Sequence, residues 1–451
     1  MNTPICDFVR KYSESHPIRL HMPGHKGKCF TGPEELDITE ISGADILYAP
    51  HGIIEESQKN ASLLFDSGKT LYSCEGSSLS IRAMLYLAVL VHGKCGERPL
   101  VLAARNAHKA FISAAALIDF DIEWLYSEMS DGYISCRISA QYVDKKLRSL
   151  ISIGRPPAAL YITSPDYLGN QTDIEDISKV CHKYGVFLLV DNAHGAYLQF
   201  LPRSKHPISL GADMCCDSAH KTLPVLTGGA YFHISKYAPR ALLDNAERAM
   251  SLFASTSPSY LILQSLDRTN QYLTSGYKEK LALLAERIHR LKTALKDKGG
   301  YTLCGSEALK LTIAPKSYGY TGYETAELLL KNNIICEFSD PDYVVFMFTT
   351  ETDYSEIDYL ETSLLSLERK PAIEEKPPAL PVPEKYMTVR KAVFSSSLVL
   401  PVSQCTGKIL ASENISCPPA VPILVCGEKI DETAIKAFKY YGINECRIVS
   451  E

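Results

Sequence analysis

Asp191-Asn192-Ala193-His194-Gly195 follows directly on the apolar run Val186–Val190, and Ser218-Ala219-His220-Lys221-Thr222 comes further along the chain. An Asp at a strand end and a Lys in a turn of small and polar residues are the pair that pyridoxal phosphate chemistry needs. The amine can form a Schiff base with the cofactor aldehyde, while the carboxylate keeps the pyridine nitrogen protonated so that the ring accepts electrons. Gly76-Ser77-Ser78 opens the apolar helical stretch Ile81–Val91, whose free N–H groups and positive dipole end suit a phosphate, although the same triplet also serves as an ordinary helix cap. Ser218 and His220 add donors from the turn that bears Lys221. His108, in Arg105-Asn106-Ala107-His108-Lys109 after the run Pro99–Ala103, offers a flat ring to stack on a pyridine, or else caps a helix.

Other groups have competing readings. His21 and His25 are spaced like metal ligands on a helix, but Pro23-Gly24 between them breaks any helix, so no metal site is expected. Lys26 and Lys109 are rival amines, yet neither follows a strand-end Asp, and both read as surface or interface charges. Glu337, Asp340 and Asp342 lie between two predicted strands, placed to meet the distal cation of a basic amino acid or to form a solvated acidic turn.

These residues need a scaffold that ends several strands in one place. From about Glu55 to Arg240 the runs Pro99–Ala103, Ala158–Thr163, Val186–Asp191 and Ala230–His233 alternate with helical stretches. Continuous apolar runs joined by helices predict an α/β fold with a mostly parallel sheet covered on both faces, whose ligands gather at strand ends. Thr172-Asp173-Ile174-Glu175 reads as a capping box, Ile174, Ile177 and Cys181 follow at helical spacing, and Gly185 suits the position after the helix. Tyr277–Lys298 predicts one long helix with Leu281, Leu284, Ile288 and Leu291 on a stripe. Beyond it, Tyr301–Ile313, Ile334–Phe338 and Tyr343–Thr349 read as strands around a helix Glu324–Lys331. The expected organisation is an N-terminal arm (1–54), a cofactor-binding major domain (55–275), a small α+β domain with its connecting helix (276–369), a Pro-rich linker (370–385) and a C-terminal segment (386–451) with a short helix Glu432–Tyr441.

With 451 residues, 46% hydrophobic and 22% charged, the chain has ample sequence for a buried core, and neither disorder nor a coiled coil suits it as a whole. A net charge of −5 provides no basic field for nucleic acid or anionic lipid, which leaves small molecules and other protein chains as partners. The 14 Cys are scattered without a CxxC pair, and the first residues lack an apolar signal region, so reduced thiols and a cytoplasmic location are expected. The longest apolar stretch, Met84–Val91, is far short of the roughly 20 residues that cross a bilayer.

Taken together with His21-Met22-Pro23-Gly24-His25-Lys26-Gly27, Ser255-Thr256-Ser257-Pro258-Ser259-Tyr260, Pro418-Pro419, Val421-Pro422 and Gly427-Glu428, these motifs occur in the order of the bacterial ornithine/lysine/arginine decarboxylase family, which the chain resembles over most of its length. The resemblance implies an aminotransferase-type fold in the short layout that lacks a receiver-like wing domain, and a lyase of polyamine metabolism. It casts Lys221 as the Schiff-base lysine, Asp191 as partner of the pyridine nitrogen, His108 as the stacking residue and Ala193 as the contact on the other ring face. Ser77, Ser78, Ser218 and His220 would hold the phosphate, and His194 would lie near the phenolic oxygen or the substrate. Glu337 is the candidate for the substrate's distal cation. Two positions depart from the family's usual pattern: Asn192 stands where Glu is usual, and Glu75 where Asn is usual before Gly-Ser-Ser.

The expected reaction is decarboxylation of arginine, lysine or ornithine; an aminotransferase of the same fold and a non-catalytic regulatory relative are the alternatives. Transaminases of this fold usually clamp the substrate carboxylate with a small-domain Arg, and no Arg occurs between Arg290 and Arg369, although Lys310 or Lys316 could serve instead. A homodimer or a multiple of one is expected, because the resembled fold builds its active site at a subunit interface.

Overall fold

In the computed structural model, which describes residues 1–92, 98–129, 132–412 and 421–450, the apolar runs become strands. The Pro418-Pro419 pair lies outside the described residues. Seven strands, β1 (Lys69–Ser73), β2 (Leu100–Ala104), β3 (Asp121–Leu125), β4 (Ala159–Thr163), β5 (Phe187–Asp191), β6 (Met214–Asp217) and β7 (Ala230–Ile234), form a mixed, mostly parallel sheet ordered β1-β7-β6-β5-β4-β2-β3. β5 and β6 run parallel, as do β2 and β3, whereas β7 is antiparallel to β6 and to β1. The four runs read from sequence are β2, β4, β5 and β7. The other three strands lack an apolar signature: β1 begins Lys-Thr, β3 alternates charged and apolar residues, and β6 is only 4 residues with two cysteines.

The chain divides into two compact units: Met1–Cys95 with Ala158–Leu160 and Ile174–Leu281, and Gly96–Pro157 with Tyr161–Asp173 and Ala282–Glu451. In the first unit the helix Ser77–His92 packs against β5, β6 and β7 through Leu79, Ile81, Met84, Leu85 and Ala88, all buried. The helix Ile174–Lys183 begins one residue later than a Thr172 cap implies, and is followed by Gly185, whose φ of +67° lets Val186 N donate back to Cys181 O. The start of the arm is a helix, Pro4–Glu14, anchored by Asp267: its Oδ2 accepts Ile5 N and Cys6 N, each at 3.0 Å. Further along the arm Ile18, Leu20, Met22 and Phe30 are 87%, 90%, 65% and 77% exposed.

In the second unit β8 (Thr302–Cys304), β9 (Lys310–Ala314), β10 (Phe338–Ser339) and β11 (Val344–Met347) form an antiparallel sheet ordered β10-β11-β9-β8. The single strand expected over Tyr301–Ile313 is broken at Gly305, where φ is +74° and a Cβ would fall 2.2 Å from Leu168 O. The helix Gly322–Leu330 starts from a capping box between Thr321 and Glu324. β12 (Ser397–Pro401) pairs antiparallel with β13 (Glu445–Val449), and the helix Glu432–Tyr440 buries Ile435 and Phe438 in a core with Val402, Leu410, Ile423 and Leu424. Residues 370–384 carry no helix or strand. Among the described residues no helix is long and apolar enough to cross a membrane.

Candidate active site

Parallel pairing of β5 with β6 explains how the two strand-end motifs meet. β5 ends at Asp191, in register with Cys216, and β6 ends one residue later at Asp217, so both chains leave the sheet at the same edge. Asp191 is buried, and its Oδ1 accepts Ala193 N at 3.2 Å. Ser218 then starts the short helix Ala219–Thr222 that carries Lys221, whose Nζ lies 3.0 Å from His194 Nε2. Ser218 Oγ donates to Ser77 Oγ at 2.9 Å, which brings the Lys221 turn to the start of the 16-residue helix Ser77–His92. Gly76 makes the preceding turn at φ +69° and donates its N–H to Gly228 O at 2.7 Å. Ser78 lies in the first turn of the same helix, while His220 commits Nδ1 to Gly229 O at 3.0 Å.

This donor set fits pyridoxal phosphate. The Ser77 and Ser218 hydroxyls beside open helix N–H groups suit the phosphate, the strand-end carboxylate suits a protonated ring nitrogen, and the Lys221 amine suits the aldehyde. His108 belongs to the second unit and caps the helix Lys109–Ile118; its Nδ1 accepts Ala110 N at 3.1 Å, so a neutral ring carries its proton on Nε2. The capping role weighed from sequence is therefore present. The rival lysines stay outside this arrangement: Lys26 is exposed and donates to His21 O at 2.6 Å, and Lys109 is exposed at the helix start. His21 contacts the Tyr12 hydroxyl while His25 contacts Asp37 at 3.2 Å, so the two imidazoles serve different partners.

A buried group that sequence reasoning missed stands behind the two strand ends. Asn192 Nδ2 donates to Asp217 Oδ1 at 2.7 Å, and Asp217 Oδ2 accepts from His206 Nε2 at 3.0 Å and His233 Nε2 at 3.2 Å, all four side chains being fully buried. Burial alone would raise the Asp217 carboxyl, but the two imidazoles hold it well below the usual carboxylate range; burial in turn lowers His233 against the pull of Asp217. The His206, Asp217 and His233 ligand atoms lie within 4.8 Å of one another, close enough to share a metal ion; as they stand the shared oxygen engages both Nε2 atoms, Thr70 Oγ1 engages His233 Nδ1, and His206 Nδ1 is buried without a hydrogen-bond partner among the described residues. The departure at Asn192 thus has a local account: the buried carboxylate is supplied by Asp217, and the amide donates to it. Gly195 is required because a Cβ would fall 2.0 Å from Asn192 Oδ1. Glu75, the other departure, accepts Ser255 N at 2.8 Å and so holds the Ser255–Tyr260 loop. A polar residue inside the apolar strand β7, His233, was the one available sequence signal.

In the second unit the acidic turn divides between its two readings: Glu337 is exposed, and its two acidic companions are not solvated. Asp340 and Asp342 are buried in the hairpin between β10 and β11, where Asp340 Oδ1 accepts Asp342 N at 2.8 Å and Tyr343 N at 2.7 Å, and Asp342 pairs with Lys316 at 2.8 Å. The helix start covers them closely, since a Cβ on Gly322 would lie 2.1 Å from Tyr343 O. Lys310 is buried against Glu307 at 3.0 Å and donates to Asp166 O at 3.1 Å. Both lysines that could replace a carboxylate clamp are thus held in ion pairs, that of Lys310 fully buried and that of Lys316 partly so. Glu337 accepts the Tyr167 hydroxyl at 3.0 Å.

A family model for the Orn/Lys/Arg decarboxylase major domain matches residues 3–312. An arginine decarboxylase of Bacillus subtilis strain 168 is 28% identical over 470 residues, covering 96% of this chain and 92% of the relative. An arginine decarboxylase of Halalkalibacterium halodurans is 29% identical over 468 residues, covering 96% and 91%. Among solved structures, the Francisella novicida lysine decarboxylase LdcF superposes with a TM-score of 0.80 at 16% identity, covering 99% of this chain and 81% of that one.

Proposed function

Because the chain belongs to the Orn/Lys/Arg decarboxylase family and is a pyridoxal phosphate-dependent amino-acid decarboxylase, we propose that its substrate is a basic amino acid, arginine before lysine or ornithine, released as the amine and carbon dioxide. The preference for arginine is supported by the names of the relatives with which the chain shares nearly its whole length. When bound, pyridoxal phosphate supplies an electron sink for the pair left behind as the carboxylate departs.

In this reading Asp191 would keep the ring nitrogen protonated, and Ala193 and His108 would be the residues that contact the ring. Ser77, Ser78, Ser218 and His220 bind the phosphate with the N–H groups opening the helix Ser77–His92. Lys221 would be the residue that holds the cofactor aldehyde, and its Nζ is the amine placed to carry a proton to the substrate Cα. His194, 3.0 Å away, orients that amine and accepts its hydrogen bond at Nε2. Glu337 meets the distal cation. The division into arm, major domain, small domain, linker and C-terminal segment is retained as the functional organisation of a cytoplasmic homodimer, supported by the exposed apolar side chains of the arm.

The observation that carries decarboxylation over transamination is the engagement of Lys310 and Lys316 in ion pairs with Glu307 and Asp342, in a stretch with no Arg from 291 to 368. Incubating the holoenzyme with each of the three amino acids, with and without a 2-oxo acid, and identifying products tests it. Agmatine and carbon dioxide from arginine are expected. Glutamate or alanine formed faster than carbon dioxide would overturn the reaction, and cadaverine or putrescine formed faster than agmatine would overturn the substrate.

A further inference from the structure

Two motifs distant in sequence, Arg105 to Lys109 and Gly427-Glu428, meet inside the second unit. Arg105 leaves the end of β2 three residues before His108, with its backbone N–H bonded to Leu125 O at 2.9 Å. Its Nη2 donates to Glu428 Oε2 at 3.0 Å and to Ile423 O at 3.2 Å, and its guanidinium lies over the Trp124 ring, 4.9 Å from the centroid. Glu428 Oε2 also accepts Val425 N at 2.6 Å. The side chains of Arg105 and Glu428 are 10% and 6% exposed, and Asn106 and Ala107 are buried too. The stretch from the strand end to Ala107 is therefore buried, and the carboxylate that pairs with its charged member comes from the C-terminal segment.

We propose that Glu428, through Arg105, is a positioning residue that fixes the loop carrying His108 for stacking on the cofactor ring; this rests on the reading of His108 given above. A buried guanidinium that loses its carboxylate does not stay where it was, because an uncompensated charge seeks water or another acceptor. Any backbone shift that accompanies its movement passes to His108 through only two residues, Asn106 and Ala107. The pair thus makes a segment far from the cofactor motifs in sequence a determinant of cofactor affinity.

The test is a double-mutant cycle on cofactor affinity, measured by equilibrium dialysis of pyridoxal phosphate against apoprotein, for wild type, His108→Ala, Glu428→Gln and the double variant. His108→Ala should weaken binding about tenfold, equivalent to about 1.4 kcal/mol. Glu428→Gln should weaken it several-fold, and the double variant should bind no more weakly than His108→Ala, because Glu428 acts only through that ring. Emission of Trp124, the only tryptophan, should shift in Glu428→Gln and show that the guanidinium has moved. Losses that multiply in the double variant, or Glu428→Gln binding like wild type, would overturn the proposal. Wild-type binding by His108→Ala would overturn the reading of His108 itself, and the proposal with it. If far-ultraviolet circular dichroism shows that Glu428→Gln does not fold, Arg105→Lys, which keeps the buried charge but loses the forked reach to Ile423, takes its place in the same cycle.

Discussion

Asp340→Asn should remove a pH dependence built into the hairpin between β10 and β11. Burial, with the nearby Asp342 adding to it, pushes the Asp340 carboxyl from its usual 3.8 up to about 7. The folded hairpin therefore holds a proton that the opened chain has lost, and stability falls as pH rises from 3.8 until the folded group ionises near 7. At 1.36 kcal/mol per unit the whole fall is about 4 kcal/mol, and the part between pH 5.5 and 8.5 is about 2 kcal/mol, some thirtyfold in the opening equilibrium. One oxygen, Oδ1, accepts both Asp342 N and Tyr343 N, so an Asn at this position keeps both bonds and loses only the charge. Hydrogen exchange of those two amides, corrected for intrinsic rates, reads the opening directly. Wild-type protection should fall about thirtyfold across this range, while Asp340→Asn should stay level and match wild type at pH 5.5. An equal fall in both proteins would refute the assignment of the proton to Asp340.

Asp191→Asn should lower turnover by orders of magnitude, each 1.36 kcal/mol of lost transition-state stabilisation being about tenfold, while borohydride still fixes the cofactor to Lys221 in peptide maps; near-normal turnover would contradict the role given to Asp191. Asp267→Ala should cost about 2–3 kcal/mol, because Ile5 N, Cys6 N and the Ser57 hydroxyl lose a buried acceptor, and a thermal melt together with faster proteolysis near residues 15–45 would register the loosened arm.

The parts of the fold legible in the sequence were those with a local signal. β2, β4, β5 and β7 stand out as continuous apolar runs, and Asp191 and Lys221 as polar groups at their ends. β6 was not legible, since Met-Cys-Cys-Asp is too short and too mixed to carry a period, yet it is the strand that delivers Ser218 and Lys221. The same limit hid Asp217: its partners His206, His233 and Asn192 come from separate elements, and only β5, β6 and β7 lying side by side brings them together. Arg105 with Glu428 is the extreme case, a pair separated by 323 residues. The acidic turn was open in sequence because charge predicts solvent, and the packing of Gly322 against the hairpin reverses that expectation for Asp340 and Asp342 while Glu337 stays exposed.

The hydrogen bond between Asn192 and Asp217 also bears on how such sequences diverge. With Asp217 fully buried, a single exchange of Asn192 for the Glu usual in the family would set two carboxylates against each other where no water can screen them. A lineage passing from one arrangement to the other must change both positions together or pass through a crippled intermediate. The side chain that position 192 tolerates is thus set by what position 217 carries.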